Sequence, residues 1–131
     1  QATDIDAFIF DSFSNPTIDE IKERLFPFIE RLQAAHPGKP LIFQHTIYRE
    51  RRNFDLATAK SESDRIKAVD VLMAEAVKKY KDVYYVTTTN ATSPKHDTSV
   101  DGTHPGDYGY SLWAESIRKP ILKILRKYGI R

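Results

Sequence analysis

Short apolar segments alternate along the chain with longer segments in which apolar residues recur every three or four positions. The short segments lie at residues 7–10, 41–45 and 83–86. Each is almost continuously apolar, which is typical of a strand buried on both faces of a sheet. The pattern therefore predicts three buried strands.

Helical spacing marks the three longer segments that come after these strands. They run from Thr17 to about residue 36, from about residue 61 to 80, and from about residue 107 to 128. Thr17 and Glu20 have the spacing of a capping box, which predicts where the first helix begins. Pro27 and Pro120 lie inside the first and last helical patterns and are expected to bend them.

The order strand, helix, strand, helix, strand, helix predicts an α/β fold with a parallel sheet and helices on its faces. Ligands of such sheets bind beyond the carboxyl ends of the strands. Residues 11–16, 44–53 and 87–104 leave the strands at that edge, and the last of these segments is long for a loop in a compact domain. We therefore expect the functional residues in these three segments.

Composition narrows the class of protein. A chain of 131 residues with 40% hydrophobic and 29% charged residues favours one compact domain. A net charge of +2 does not indicate a nucleic-acid partner, and we expect the basic run at residues 49–52 to form a solvated loop. The absence of cysteine excludes disulfides, thiolate zinc sites and cysteine nucleophiles.

The sequence leaves the cellular compartment open. No apolar run approaches the ~20 residues of a membrane span, so we expect a soluble protein, for which a secreted or periplasmic location is one option. The chain begins with Gln, as expected of a mature product, a trimmed sequence or a fragment.

The stretch VDGTHPGDYGY, residues 100–110, contains the most informative spacing. Asp101 and His104 are three residues apart, and Gly102 eases the turn between them. A carboxylate at this spacing can accept a hydrogen bond from one imidazole nitrogen and leave the other nitrogen free as a base, as in a Ser-His-Asp triad. A turn with a surface histidine is the alternative interpretation.

Two segments carry a resemblance to a known family. DGTHPGDYGY with the amphipathic helix after it resembles the last conserved block of the SGNH (GDSL-like) hydrolases, and residues 4–43 resemble the third block with its kinked helix and next strand. The resemblance implies a three-layer α/β/α domain with the flavodoxin-like SGNH hydrolase fold, spanning residues 1–131. It also implies catalytic roles for Asp101 and His104, and an oxyanion-hole role for the Asn15 side chain. A turn or helix-capping role for Asn15 is the alternative.

The sequence departs from the family in its first two blocks. None of the five glycines precedes an Asp-Ser pair, and none lies before Asn15. The chain therefore resembles the family domain without its N-terminal strand-helix-strand portion, which would carry the nucleophilic serine. Ser12 comes after Asp11 at the end of the first strand and is the alternative nucleophile, but Phe10 occupies the position where a sharp elbow needs a small residue.

Two histidines offer further candidates. His45 ends the second strand and is expected either to line a substrate pocket or to serve a structural role. His96 and Asp97 could join Asp101 and His104 in a metal site, but no pair has the i, i+4 spacing of metalloprotease ligands, and we expect no metal.

The resemblance implies a serine esterase or acylhydrolase that needs no cofactor. By analogy its substrate is an O-acyl ester on a small molecule or a carbohydrate. The alternative function is a non-catalytic binding or assembly domain on the same scaffold. Without the family's first strand, the strand at residues 7–10 would have an open edge, so we expect a dimer or an association with the missing N-terminal segment.

Overall fold

The computed structural model describes residues 4–88, 92 and 98–131. It contains three strands and three α-helices in the predicted alternating order. These elements are β1 (Phe8–Phe10), α1 (Ile18–Ala35), β2 (Leu41–Gln44), α2 (Leu56–Lys79), β3 (Val83–Val86) and α3 (Asp107–Arg126). A short 3-10 helix (Glu50–Asn53) lies between β2 and α2.

The three strands form a parallel sheet in the order β1-β2-β3. Phe8 is opposite Leu41 in the first pair of strands, and Ile42 is opposite Tyr84 in the second. Every residue of β2 is buried, which explains why its sequence is continuously apolar up to Gln44. The predicted parallel sheet is confirmed.

Helices cover both faces of the sheet. On one face, α1 and α2 pack their apolar sides on the strands in a cluster that includes Ile29, Leu41, Phe43 and Met73. On the other face, α3 packs Ile121 and its neighbours on the even-numbered residues of β2 and β3. Because side chains alternate along a strand, one apolar segment serves both layers. The predicted three-layer α/β/α architecture is confirmed.

The sequence placed the start of α2 about five residues too late. The helix begins at Leu56 because Asp55 caps it, with the Asp55 carboxylate accepting a hydrogen bond of 3.0 Å from the Thr58 N–H. Its first turn lacks an apolar face, and the Leu56 side chain is exposed. The helical spacing of apolar residues could therefore be recognised in the sequence only from about residue 61. The sequence also did not predict the 3-10 helix that precedes α2.

The start of α1 agrees with the sequence. Thr17 and Glu20 form the predicted capping box, with bonds of 2.9 Å and 3.2 Å. Pro27 lies inside α1 without ending it. None of the helices in the described part of the chain is both long and apolar enough to cross a membrane.

Candidate active site

Three loops leave the sheet at the carboxyl ends of its strands, as the alternating pattern predicted. β1 leads into residues 11–16, here called the Asn15 turn, and β2 leads into His45 and the 3-10 helix. β3 leads into the segment whose last part, residues 98–105, is here called the Asp101 loop. The strands are parallel, so all three loops start from one edge of the sheet.

Asp101 and His104 are joined by a short hydrogen bond. His104 Nδ1 lies 2.6 Å from Asp101 Oδ2. An ionised carboxylate can only accept hydrogen bonds, so the proton of this bond belongs to Nδ1. In the neutral ring, His104 Nε2 then carries the lone pair. The spacing read from the sequence thus folds into the geometry of a base oriented by a carboxylate.

The backbone holds the Asp101 carboxylate in place. Its Oδ1 accepts the N–H groups of Thr103 and His104, at 2.8 Å and 2.7 Å. The His104 backbone bond, together with the weaker effects of the His104 ring and the Thr103 N–H, holds the pKa of Asp101 far below its usual range. The carboxylate therefore remains ionised while it accepts the imidazole proton, although half of its side chain is exposed.

Gly102 makes this loop conformation possible. Its φ of +76° lies in the left-handed region, where a side chain is strained. A Cβ at this position would also lie 3.3 Å from the backbone nitrogen of Arg51. The Gly102 carbonyl accepts a bond of 2.7 Å from that same nitrogen. The close approach of the two segments therefore depends on glycine.

Asn15 lies in an exposed bend between β1 and α1. The N-cap of α1 is Thr17, so the capping role that was an alternative for Asn15 is wrong. The carbonyl of Ser14, in the peptide that precedes Asn15, accepts hydrogen bonds from Arg49 Nη2 at 3.0 Å and Arg65 Nη1 at 2.6 Å.

These two arginines flank a buried carboxylate. Arg49 Nη1 lies 2.8 Å from Glu62 Oε1, and Arg65 Nη1 lies 3.9 Å from the same oxygen. The Glu62 side chain is 6% exposed, and the arginine side chains are 21% and 22% exposed. The expectation that residues 49–52 form a solvated basic loop is therefore wrong for Arg49, because tertiary contacts bury most of its side chain.

Glu50 connects the 3-10 helix to the Asp101 loop. Its Oε1 accepts the Thr98 N–H at 2.6 Å, and its Oε2 accepts the Ser99 hydroxyl at 2.8 Å. Desolvation alone would raise the pKa of Glu50, but the bonds from Thr98 and Ser99 outweigh it and lower that pKa. The carboxylate is thus a fixed acceptor for the start of the loop.

His45 has partners within the protein. Its Nδ1 lies 2.6 Å from the Thr46 carbonyl, and its Nε2 lies 3.7 Å from an Asp70 oxygen that also accepts the Tyr85 hydroxyl. Burial, and to a lesser degree the bond to Asp70, raise the pKa of Tyr85 well above its usual range. These contacts are those expected of the structural alternative for His45.

Ser12 lies on an apolar cleft between the Asn15 turn and α1. The cleft has a volume of about 230 Å³, and Phe13, Leu25 and Phe28 are among its lining residues. No serine hydroxyl of the described residues forms a hydrogen bond with the His104 ring. Ser12 is thus not hydrogen-bonded to His104 in this structure.

The residues that a metal site would require are not all described. His96 and Asp97 lie outside the described residues. Within residues 4–88, 92 and 98–131, no three His, Asp or Glu side chains are grouped to hold a metal ion.

Comparison with known families agrees with the resemblance. The model of the GDSL-like lipase/acylhydrolase family matches residues 1–123. The chain belongs to this family. No curated protein matches it.

A solved structure shares the GDSL-like fold. The chain is similar to the crystal structure of a GDSL-like lipase from Bacteroides ovatus, with a TM-score of 0.85 and 31% sequence identity. The match covers 94% of this chain and 37% of the other. The chain thus spans little more than a third of that protein's length.

Sequence reasoning found only some of the residues that shape this edge of the GDSL-like sheet. It found Asp101 and His104 because their partners are near in sequence. It missed Glu62 and Arg65, which join α2 to Arg49 and Ser14, 13 and 51 residues earlier in the chain. Glu62 is a charged residue inside a helical pattern, and nothing in the sequence distinguishes it from the exposed charges around it.

Proposed function

We propose that this chain contributes the acid–base and oxyanion parts of the active site of a serine acylhydrolase that hydrolyses O-acyl esters of a small molecule or a carbohydrate. The observation that carries the proposal is the 2.6 Å bond from His104 Nδ1 to Asp101. Membership of the GDSL-like lipase/acylhydrolase family supports the reaction class.

In the proposed mechanism, His104 Nε2 removes the proton of a serine hydroxyl as it attacks the ester carbonyl. Asp101 keeps the ring in the required tautomer and stabilises the imidazolium that forms. His104 then gives the proton to the leaving alcohol, and the same cycle with water releases the acid. The Asn15 side-chain amide donates to the oxyanion, a type of contact whose loss costs about 3 kcal/mol in other enzymes.

The nucleophilic serine of this proposal lies on a segment upstream of the 131 residues. The chain contains no Gly-Asp-Ser, and no glycine precedes Asn15. Acyl transfer from an ester to serine and then to water needs no oxidant or metal, so the proposed reaction uses no cofactor.

Ester hydrolysis by the purified 131-residue chain tests where the nucleophile lies. We expect no hydrolysis of p-nitrophenyl acetate above that of the His104→Ala variant, because His104 has no serine to activate. Activity that both His104→Ala and Ser12→Ala abolish would move the nucleophile to Ser12 and contradict the proposed upstream position.

The function itself is tested with the parent protein, meaning the longer protein that includes the proposed upstream segment. We expect Asp101→Asn and His104→Ala to lower kcat by at least about 1,000-fold, and Asn15→Ala to lower it about 100-fold. A fluorophosphonate probe should label one upstream serine in the parent protein. Hydrolysis unaffected by all three variants would refute the assigned roles.

A second candidate function is a non-catalytic binding or assembly domain. The observation that favours it is the open edge of β1. Within the described residues, β1 pairs with β2 alone, and Ile9 at its centre is 47% exposed. Unpaired apolar edges recruit further strands. Absence of any fluorophosphonate-reactive serine in the parent protein would favour this candidate.

A further inference from the structure

We propose that Arg49 and Arg65, balanced by the buried charge of Glu62, are positioning residues that set the orientation of Asn15. The inference rests on the oxyanion role proposed for Asn15. It assigns a function to three charged residues that the sequence pattern gave no reason to select.

The two arginines share one acceptor in the Asn15 turn. Both donate to the carbonyl oxygen of Ser14, from positions 35 and 51 residues further along the chain. The peptide unit is planar, so a fixed Ser14 oxygen also fixes the direction in which the backbone enters Asn15. Two donors from different elements hold the oxygen more strictly than one donor could.

A buried carboxylate lies between the arginines. The Glu62 side chain is 6% exposed, and an ionised carboxylate in such a place needs charged partners. Arg49 satisfies this need with one nitrogen, Nη1, and uses the other, Nη2, for the Ser14 carbonyl. A residue needed only to neutralise Glu62 would not require the second contact. The planar guanidinium fork makes the two contacts possible together.

Asp11 is a further charged group beside this cluster. Partial desolvation raises the pKa of Asp11, and the positive charge of Arg49 offsets part of this effect. Arg49 therefore faces the Asn15 turn through two of its residues, Asp11 and Ser14.

The residues next to Arg49 hold the Asp101 loop. Glu50 accepts from Thr98 and Ser99, and the Arg51 N–H donates to the Gly102 carbonyl. Residues 49–51 thus contact both segments that carry the proposed catalytic groups: Arg49 contacts the Asn15 turn, and Glu50 and Arg51 contact the Asp101 loop. The contact made by Arg49 consequently places Asn15 relative to the Asp101–His104 pair, and not only relative to α2.

The double variant Arg49→Lys/Arg65→Lys in the 131-residue chain tests the proposal. Lysine keeps both positive charges beside Glu62 but has no fork for two simultaneous contacts. We expect the ¹⁵N NMR order parameter of the Asn15 backbone N–H to fall from about 0.85 to below about 0.6. Residues 101–104 should keep their order parameters, because Glu50 and Arg51 are unchanged.

Two controls make the outcome decisive. Asp64→Asn removes a charge from an exposed pair with Lys60 on the same helix and should leave Asn15 unchanged. If the double variant does not fold, the single variants Arg49→Lys and Arg65→Lys decide, each with a smaller loss of order. Folded variants in which Asn15 stays as ordered as in the wild type would overturn the proposal.

Kinetics of the parent protein separate this inference from the proposed function. The double variant should lower kcat about tenfold with KM unchanged, since a misplaced oxyanion donor affects the transition state alone. If Asn15→Ala itself leaves kcat unchanged, the oxyanion role fails, whereas the order parameters still report whether the arginines position the turn.

Discussion

At the scale of single residues, the Asp101–His104 contact depends on hydrogen bonds from the backbone as much as on the ring. Asp101 accepts two backbone N–H groups with one oxygen and the imidazole with the other. Because both backbone bonds go to Oδ1, the Oδ2 atom accepts a hydrogen bond from the imidazole ring alone. This division also explains how an exposed pair can keep one geometry without burial.

We predict that the pKa of Asp101 stays below its usual value even in the His104→Ala variant. The two backbone N–H bonds remain after the ring is removed, so the pKa should rise only part of the way towards the ordinary value of about 3.9. A ¹³C NMR titration of the Asp101 carboxyl group in both proteins measures this.

The lowered pKa gives the sign of the pH effect. Asp101 contributes to stability above its unfolded-state pKa of about 3.9, and the contribution is lost as the pH falls through the lower folded-state value. Asp101→Asn should therefore lower the free energy of unfolding at pH 7, and its effect should shrink as the pH falls below the unfolded-state pKa. An ordinary carboxyl pKa in the wild-type chain would contradict the hydrogen-bond geometry.

At the scale of elements, the start of α3 and the Asp101 loop are built as one unit. The Thr98 carbonyl accepts the Gly106 N–H at 2.8 Å, and Ser99 forms an isolated antiparallel bridge with Pro105. Gly109, in the first turn of α3, is buried against the Thr98 carbonyl. The helix thus supports both ends of the loop that carries Asp101 and His104.

We predict that Gly109→Ala destabilises the protein although alanine is the better helix former. A Cβ at Gly109 would collide with the Thr98 carbonyl and come within 2.9 Å of Pro105 Cβ. Overpacking of this kind costs about 1–3 kcal/mol, and over most of that range the cost is larger than the gain of about 1 kcal/mol in helix propensity. Urea unfolding measures the net effect.

Gly106→Ala is the matched control for this prediction. The nearest atom to a Cβ at Gly106 is Val100 Cγ2 at 3.5 Å, an ordinary contact, so the loss of stability should be smaller. A stabilised Gly109→Ala variant would show that the loop does not rest on α3.

At the scale of the whole molecule, the edge of the sheet at β1 is more exposed than the centre of the sheet. The central strand β2 is fully buried, whereas β1 leaves Ile9 exposed on the face that α3 covers elsewhere. The Phe8 N–H bonds to Pro40, so the next N–H, that of Ile9, points away from β2. The apolar cleft that Phe13, Leu25 and Phe28 line lies between the Asn15 turn and α1.

We predict that the 131-residue chain associates through the edge of β1. Light scattering of this chain at increasing concentration should show a dimer, and Ile9→Lys should shift it towards the monomer. Val71→Lys adds the same charge at an exposed apolar residue of α2 and should have no such effect. A monomer of the 131-residue mass at all concentrations would refute this proposal.

The sequence by itself determined the elements whose signals are local. Continuous apolar segments specify β1, β2 and β3, and β2 needs no polar side because both of its faces are buried. The capping box specifies the start of α1, and the three-residue spacing of Asp101 and His104 specifies their bond. Each of these signals comes from residues that are close together in the chain.

Only the tertiary structure decided what residues distant in sequence do together. The structure alone shows that Glu62 is buried. It also brings together residues that are 35 to 51 positions apart in the chain: Arg49 and Arg65 contact Ser14, and Glu50 contacts Thr98 and Ser99. A charged side chain in a helix or loop pattern is usually solvated, and no local signal distinguishes one that folding will bury. The physical reason is that desolvation and pairing depend on which elements pack together, which the local pattern does not contain.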